Sequence, residues 1–169
     1  ASPYKLIKEV GVNNDQKLID KNLRMIEGAY KKAPYFSVIQ PLVEKILTCG
    51  KECLSEYILE SFKIINSYLE IDTELILSSD LQKDCSLKGQ EKVLVICKEL
   101  GATEYYNAIG GQELYSFDEF KKNDIELSFL ETNKISYEQF GQNFQENLSI
   151  LDVMMFNSKE EIQKILSEY

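Results

Sequence analysis

The hydrophobic residues follow helical spacing in the first half of the chain and change their period near residue 70. Residues 15–32 predict an amphipathic helix. Two more helices are predicted over residues 36–50 and 52–71. The apolar face of the first comprises Leu18, Ile19, Leu23, Ile26 and Tyr30. The buried stripe of the third comprises Leu54, Ile58, Phe62, Ile65 and Leu69.

The second half alternates short β-prone segments with helical ones, and this order favours a largely parallel sheet. We therefore predict an α/β fold, helix-rich, with a short, mostly parallel sheet flanked by helices. Residues 1–169 are expected to form a single domain, with the longest helices before residue 100. The predicted strands lie near residues 5–10, 73–77, 103–107 and 125–129.

Charge and composition exclude several classes of function. The net charge is −9 and the lysines alternate with acidic residues, so the sequence lacks the basic stripe of a nucleic-acid-binding protein. No apolar run approaches the ~18 residues of a membrane span. Histidine is absent, which excludes Ser-His-Asp and Cys-His nucleophiles, histidine bases and HExxH zinc sites within this chain.

The four cysteines, Cys49, Cys53, Cys85 and Cys97, do not have the spacing of a zinc site. A zinc site with these ligands needs histidine or more closely paired cysteines. We expect free thiols in a reducing cytoplasm, with no metal and no cofactor.

The first candidate site is the polar turn that contains Ser79, together with Lys88 and Gly89 at the start of a predicted helix. Helix N-termini bind anions through free N–H groups, and ligands gather at the carboxyl ends of strands. The segment has no glycine-rich phosphate motif, so a simple loop with a helix cap is the alternative.

The second candidate is the glycine pair Gly110 and Gly111, which follows a predicted strand and lies between Tyr106 and Tyr115. Two glycines allow close approach of a ligand, and the tyrosines offer hydroxyl groups. The alternative is a tight turn with tyrosines at the edge of the core.

The third candidate is Asp152, which interrupts an apolar run from Leu148 to Phe156. A helix that is apolar nearly all round is a central one, so a carboxylate there needs partners. Two interpretations stay open. Asp152 is either a first-turn residue paired with Ser149 as helix cap, or a buried carboxylate in a ligand pocket with Gln139 and Asn157 as amide partners.

Three segments, "YKKAPYF", "KVLVICKELGATEYYNAIGGQELY" and "YEQFGQNFQENLSILDVMMFNS", resemble the WbqC-like family of bacterial proteins. The resemblance runs from about Tyr4 to about Ser158. Its most distinctive block is tyrosine-x-Gln-Phe followed by Leu-Ser-Ile-Leu-Asp and Phe-Asn. Family members carry a further N-terminal segment with a Gln-Pro-aromatic motif, which is not found in this sequence. The resemblance therefore implies that the chain is the C-terminal major part of such a protein.

The resemblance implies a cytoplasmic role in the assembly of bacterial surface polysaccharide such as O-antigen. It also implies two hypotheses: acyl or aminoacyl transfer onto a nucleotide-linked amino sugar, or non-catalytic binding of a sugar nucleotide or partner in the same pathway. For the first, Asp152 would be a base or orienting carboxylate, and Lys88-Gly89 would meet phosphates. The positions that match the family's motifs are Ser79, Tyr106, Gly110, Gly111, Tyr115, Tyr137, Gln139, Ser149, Asp152 and Asn157.

Overall fold

The computed structural model describes residues 5–141 and 143–168. Their contacts group them into two compact units, one from the residues up to Leu75 with Lys134–Ser167, the other from Ile76–Asn133. The single domain over residues 1–169 stays a prediction. The helices are α1 (Gln16–Tyr30), α2 (Phe36–Leu47), α3 (Leu54–Leu69), α4 (Gly89–Glu99), α5 (Phe117–Lys121), α6 (Ile150–Phe156) and α7 (Lys159–Leu166). The strands are β1 (Glu104–Ala108) and β2 (Glu126–Leu130).

Side-chain caps fix where several helices begin. The Asp15 carboxylate accepts the N–H of Lys17 at 2.7 Å, which starts α1. Before α7, Ser158 and Glu161 form a reciprocal capping box. Each cap satisfies N–H groups that the helix itself leaves unpaired.

The first unit is helical, and α6 lies at its centre. Val153, Met154 and Met155 of α6 are buried, as expected for a helix that is apolar nearly all round. The buried core of this unit consists of Ala33, Ile39, Val43, Leu69, Val153, Met154, Met155 and Ile162. The predicted stripe of α3 is wrong at Ile58 and Phe62, which are exposed. The reason is that α3 packs on this core through its C-terminal half, where Ile65, Tyr68 and Leu69 lie.

The second unit contains the sheet. Strands β1 and β2 pair in parallel, with Tyr105 opposite Leu127. The chain passes from β1 through a 3₁₀ turn (Ile109–Leu114) and α5 to β2. Cys97, Phe120, Ile125 and Leu127 form the buried core of this unit. The helix-rich α/β prediction is therefore confirmed, and so is the placement of the longest helices before residue 100.

Two of the four predicted strands do not form. Residues Ile7–Glu9 make a 3₁₀ turn, in which the Glu9 carboxylate accepts the Leu6 N–H at 3.0 Å. Within the described part of the chain, residues 73–77 pair with no other segment. A segment of alternating hydrophobicity forms a strand only where it can pair with a second strand, because the backbone N–H and C=O groups of a strand need hydrogen-bond partners.

The first unit also encloses an apolar cavity of about 200 Å³. The cavity is partly open to solvent and lies among α1, α2, α3 and α6. Its walls are aliphatic and methionine side chains, with no polar surface. Of the described helices, none has the length and hydropathy that a membrane crossing requires.

Replacing Met155 with alanine should destabilise the protein by about 2–5 kcal/mol, because the side chain is 0% exposed and its removal leaves a void. Met25, on α1, is 63% exposed and gives the matched control. Met25→Ala should change the free energy of unfolding by less than about 0.5 kcal/mol. Denaturant unfolding of both variants measures the difference, and equal effects would contradict the central position of α6.

Candidate functional site

The carboxylate of Asp152 is buried and accepts three side-chain hydrogen bonds. Asp152 lies in the first turn of α6 and is 4% exposed. Its Oδ1 accepts from the Tyr30 hydroxyl at 3.0 Å. Its Oδ2 accepts from the Tyr137 hydroxyl and from the Gln139 Nε2, both at 2.7 Å. We call Tyr30, Tyr137, Gln139 and Asp152 the Asp152 cluster.

The three donors account for the burial of this carboxylate. A buried charge is costly unless it is paired or hydrogen-bonded. Among the described residues no lysine or arginine forms an ion pair with Asp152, so its side-chain partners are these neutral donors. Bonds of this charge-assisted kind are stronger than those between neutral groups.

Tyr30 reaches the cluster from the last residue of α1. It lies one helical turn after Ile26 on the predicted apolar face, and its ring packs edge-on against Phe156 with centroids 6.2 Å apart. The sequence analysis placed Tyr30 on that face but did not predict it as a site residue. Its chemistry could have indicated one, since a tyrosine on a buried face needs a hydrogen-bond partner for its hydroxyl.

Tyr137 and Gln139 lie in the segment without regular structure that precedes α6. The Gln139 amide is held at both ends, because its Oε1 accepts the Gln145 N–H at 2.8 Å while its Nε2 donates to Asp152. The Tyr137 ring meets Phe144 edge-on, with centroids 5.0 Å apart. This segment is therefore fixed in place by the carboxylate and by aromatic contacts.

The two tyrosine hydroxyls of the cluster are held in their protonated form. Burial, and then the hydrogen bond to the negative Asp152, raise the pKa of Tyr30 to about 12. Burial, and then the hydrogen bond to Asp152, also raise the pKa of Tyr137 to about 12, although the hydrogen bond from Gln139 to its oxygen acts in the opposite direction. At neutral pH both groups are proton donors to Asp152, and neither can serve as a base.

The structure places Asp152 in the first turn of α6 with its carboxylate buried, and its role in a ligand site stays a prediction. Asp152 occupies the third position of α6, after Ser149 as N-cap, but Ser149 makes no side-chain cap bond. The carboxylate is instead buried among donors, and Gln139 is one of them, as predicted. The prediction of Asn157 as an amide partner is wrong. Its Nδ2 donates to the Val153 carbonyl at 2.8 Å, because Asn157 ends the helix one turn beyond.

Three predicted site residues of the second unit lie between residue 79 and the first residue of α4. Ser79 is exposed and donates to the Asp80 carboxylate at 3.2 Å. Lys88 is exposed and precedes α4, which begins at Gly89. The φ of Gly89 is +51°, a left-handed value that favours glycine, so the local backbone offers a structural reason for this residue. Anion binding here stays a prediction.

The other predicted residues of this unit lie around β1. Gly110 and Gly111 belong to the 3₁₀ turn after the strand, and a Cβ on Gly111 would come within 3.0 Å of the Asn107 side chain. Tyr106 is exposed and donates to the Glu104 carboxylate at 2.7 Å. Tyr115 packs edge-on against Phe120, with centroids 5.9 Å apart. Packing thus explains Gly111 and Tyr115, and ligand binding at these positions stays a prediction.

Within residues 5–141 and 143–168, no group of three or more acidic or cysteine side chains could hold a metal ion. Cys49 and Cys53 are half-buried, Cys85 is exposed and Cys97 is buried, all as free thiols.

Comparison with protein families decides where the chain belongs. The model of the WbqC-like protein family matches residues 1–164. The chain belongs to this family. The match includes every member of the Asp152 cluster. No curated protein and no solved structure matches the chain. Membership of the WbqC-like family suggests a role in polysaccharide-related biosynthesis.

Replacing Asp152 with asparagine should lower the free energy of unfolding by about 1–3 kcal/mol. An asparagine keeps one acceptor oxygen and turns an NH₂ group toward donors that need an acceptor. Asp72→Asn, at an exposed position of the same unit, is the matched control and should change stability by less than about 0.5 kcal/mol. Denaturant unfolding gives both values. If Asp152→Asn is as harmless as the control, the three hydrogen bonds do not stabilise the fold.

In an alkaline titration, Tyr30 and Tyr137 should ionise near pH 12, later than a tyrosine with the ordinary pKa of 10.0. Their contribution to stability is complete below pH 10 and is lost as the pH rises through 12, because the raised folded-state pKa favours the protonated form. Asp152→Asn should move both ionisations to lower pH by removing the negative partner. Phenolate absorbance, with Tyr30→Phe and Tyr137→Phe to assign the signals, measures this. Unchanged late ionisation in Asp152→Asn would contradict the coupling.

Proposed function

We propose that this protein acts in the bacterial cytoplasm in the assembly of surface polysaccharide such as O-antigen. In this proposal it transfers an acyl or aminoacyl group onto the amino group of a nucleotide-linked amino sugar. Family membership supports the pathway, and the Asp152 cluster supports the kind of ligand.

The observation that carries the proposal is the direction of the hydrogen bonds in the cluster. Tyr30 and Tyr137 each donate their proton to Asp152. The Tyr137 oxygen also accepts from the Gln139 Nε2 at 3.3 Å, and the lone pairs that remain on the two tyrosine oxygens can accept from another group. The hydroxyls and the neutral amine of an amino sugar are such donors. The cluster is therefore suited to hold an amino sugar and unsuited to hold an anion.

Asp152 has an orienting role in this proposal. In the reaction a bond forms between the sugar nitrogen and the acyl carbon, and the bond from that carbon to the leaving group breaks. The nitrogen loses a proton, which passes to the leaving group. Both Asp152 oxygens already accept hydrogen bonds, so its part is to hold Tyr137 and Gln139 in place. Sugar binding at Tyr106 and phosphate binding at Lys88 and Gly89 are separate proposals that concern the second unit alone.

A second candidate is a non-catalytic protein of the same pathway that binds a sugar nucleotide or a partner. Two observations favour it. Both oxygens of the buried carboxylate are occupied, and the 169-residue sequence contains no histidine that could serve as a base. The first candidate increases the mass of a bound sugar nucleotide by the transferred group, whereas the second leaves that mass unchanged.

Mass spectrometry of nucleotide-linked amino sugars, incubated with the protein and with acyl-coenzyme A or aminoacyl donors, separates the candidates. We expect a product heavier by one acyl or aminoacyl group. Tyr137→Phe and Asp152→Asn should lower its rate of formation at least tenfold, roughly the effect of one lost positioning contact. Asp72→Asn, which lies outside the cluster, should keep the wild-type rate.

Binding without a mass change would favour the second candidate. In cells, Asp152→Asn should fail to support normal surface-polysaccharide assembly when it replaces the wild-type protein. Normal polysaccharide with this variant, provided that it accumulates to the wild-type level, would contradict a role for the cluster.

A further inference from the structure

We infer that the apolar cavity of the first unit is a binding site for an aliphatic acyl chain. The identification of this acyl chain as part of the acyl donor rests on the proposed function. The affinity of the cavity for an acyl chain is independent of that function, because it follows from the walls and the size of the cavity.

The walls of the cavity exclude polar ligands. Ile26 comes from α1, Leu42 and Ile46 from α2, and Leu151 and Met154 from α6. The lining surface carries no polar atom, so a hydroxyl, amide or charged group inside it would lose its hydrogen bonds to water and gain none. Hydrocarbon is the chemistry that these walls accept.

The size of the cavity limits the length of the acyl chain that it can hold. An apolar cavity of about 150 Å³ stays dry and accepts benzene, which has six carbon atoms. The cavity here measures about 200 Å³, which suits an aliphatic chain of roughly six to eight carbons. Because the cavity is partly open, such a chain can enter while its polar end stays outside.

Two helices connect the cavity to the Asp152 cluster. On α1, Ile26 lines the cavity, and Tyr30, which bonds Asp152, follows four residues later on the same face. Residues four apart on a helix have their Cβ atoms about 5–6 Å apart. On α6, Leu151 lines the cavity and the next residue is Asp152 itself. The cavity and the Asp152 cluster are therefore formed by neighbouring residues of α1 and α6.

The methionines provide a direct test in the wild-type protein. Met154 lines the cavity, whereas Met25 on α1 is 63% exposed and does not. With methyl-¹³C methionine, the NMR signal of Met154 should shift saturably on addition of octanoate, while that of Met25 stays in place. Affinity should rise about tenfold from butanoate to hexanoate and again to octanoate, because each pair of added methylenes leaves water.

Variants on α2 complete the test. Ile46→Phe fills the cavity and should weaken octanoate binding at least tenfold. Val38→Phe adds an aromatic ring to the same helix at a position that is 50% exposed and outside the cavity, and should leave binding unchanged. Should Ile46→Phe fail to fold, the wild-type measurement decides. The inference is overturned by the absence of a saturable Met154 shift, by affinity independent of chain length, or by wild-type binding in a folded Ile46→Phe.

The two proposals fail separately. If octanoate binds at Met154 but no acyl group is transferred, the proposed reaction is wrong and the acyl-chain site stands. If acyl groups are transferred while octanoate leaves Met154 unaffected, the donor chain lies elsewhere and only the cavity assignment is overturned.

Discussion

The hydrogen bonds to the Asp152 carboxylate hold together parts of the first unit that are distant in sequence. One bond reaches the end of α1, and two reach the segment before α6. Without these donors, the cost of burying the carboxylate would destabilise the packing of α6 in the core. Since α6 supplies three of the buried core residues, its position determines how the surrounding helices pack.

The sequence predicted well those features that depend on local spacing. Helical periodicity located α1, α2 and α3, and the alternating order of the second half predicted the parallel pair of β1 and β2. Gln139 was predicted as an amide partner of Asp152, and it donates to that carboxylate. The predictions of the helices and of the strand pair need only the neighbours within a few turns.

The features that were missed depend on contacts between distant segments. Tyr30 is 122 residues from Asp152, and no local pattern links them. Within residues 5–141 and 143–168, the β-prone segments 5–10 and 73–77 have no strand to pair with, and Ile58 and Phe62 of α3 are exposed. In each case tertiary packing overrides the structural preference of the local sequence.

The 122-residue separation of Tyr30 and Asp152 has a consequence for the synthesis of the chain. At about 5–20 residues per second, the ribosome needs roughly 6–24 s to reach Asp152 after it has added Tyr30. During that time α1 has been made, and the apolar residues that later pack on α6 lack their partner. The nascent first unit therefore exposes hydrophobic surface for many seconds, which makes it a natural client for chaperones that bind chains emerging from the ribosome.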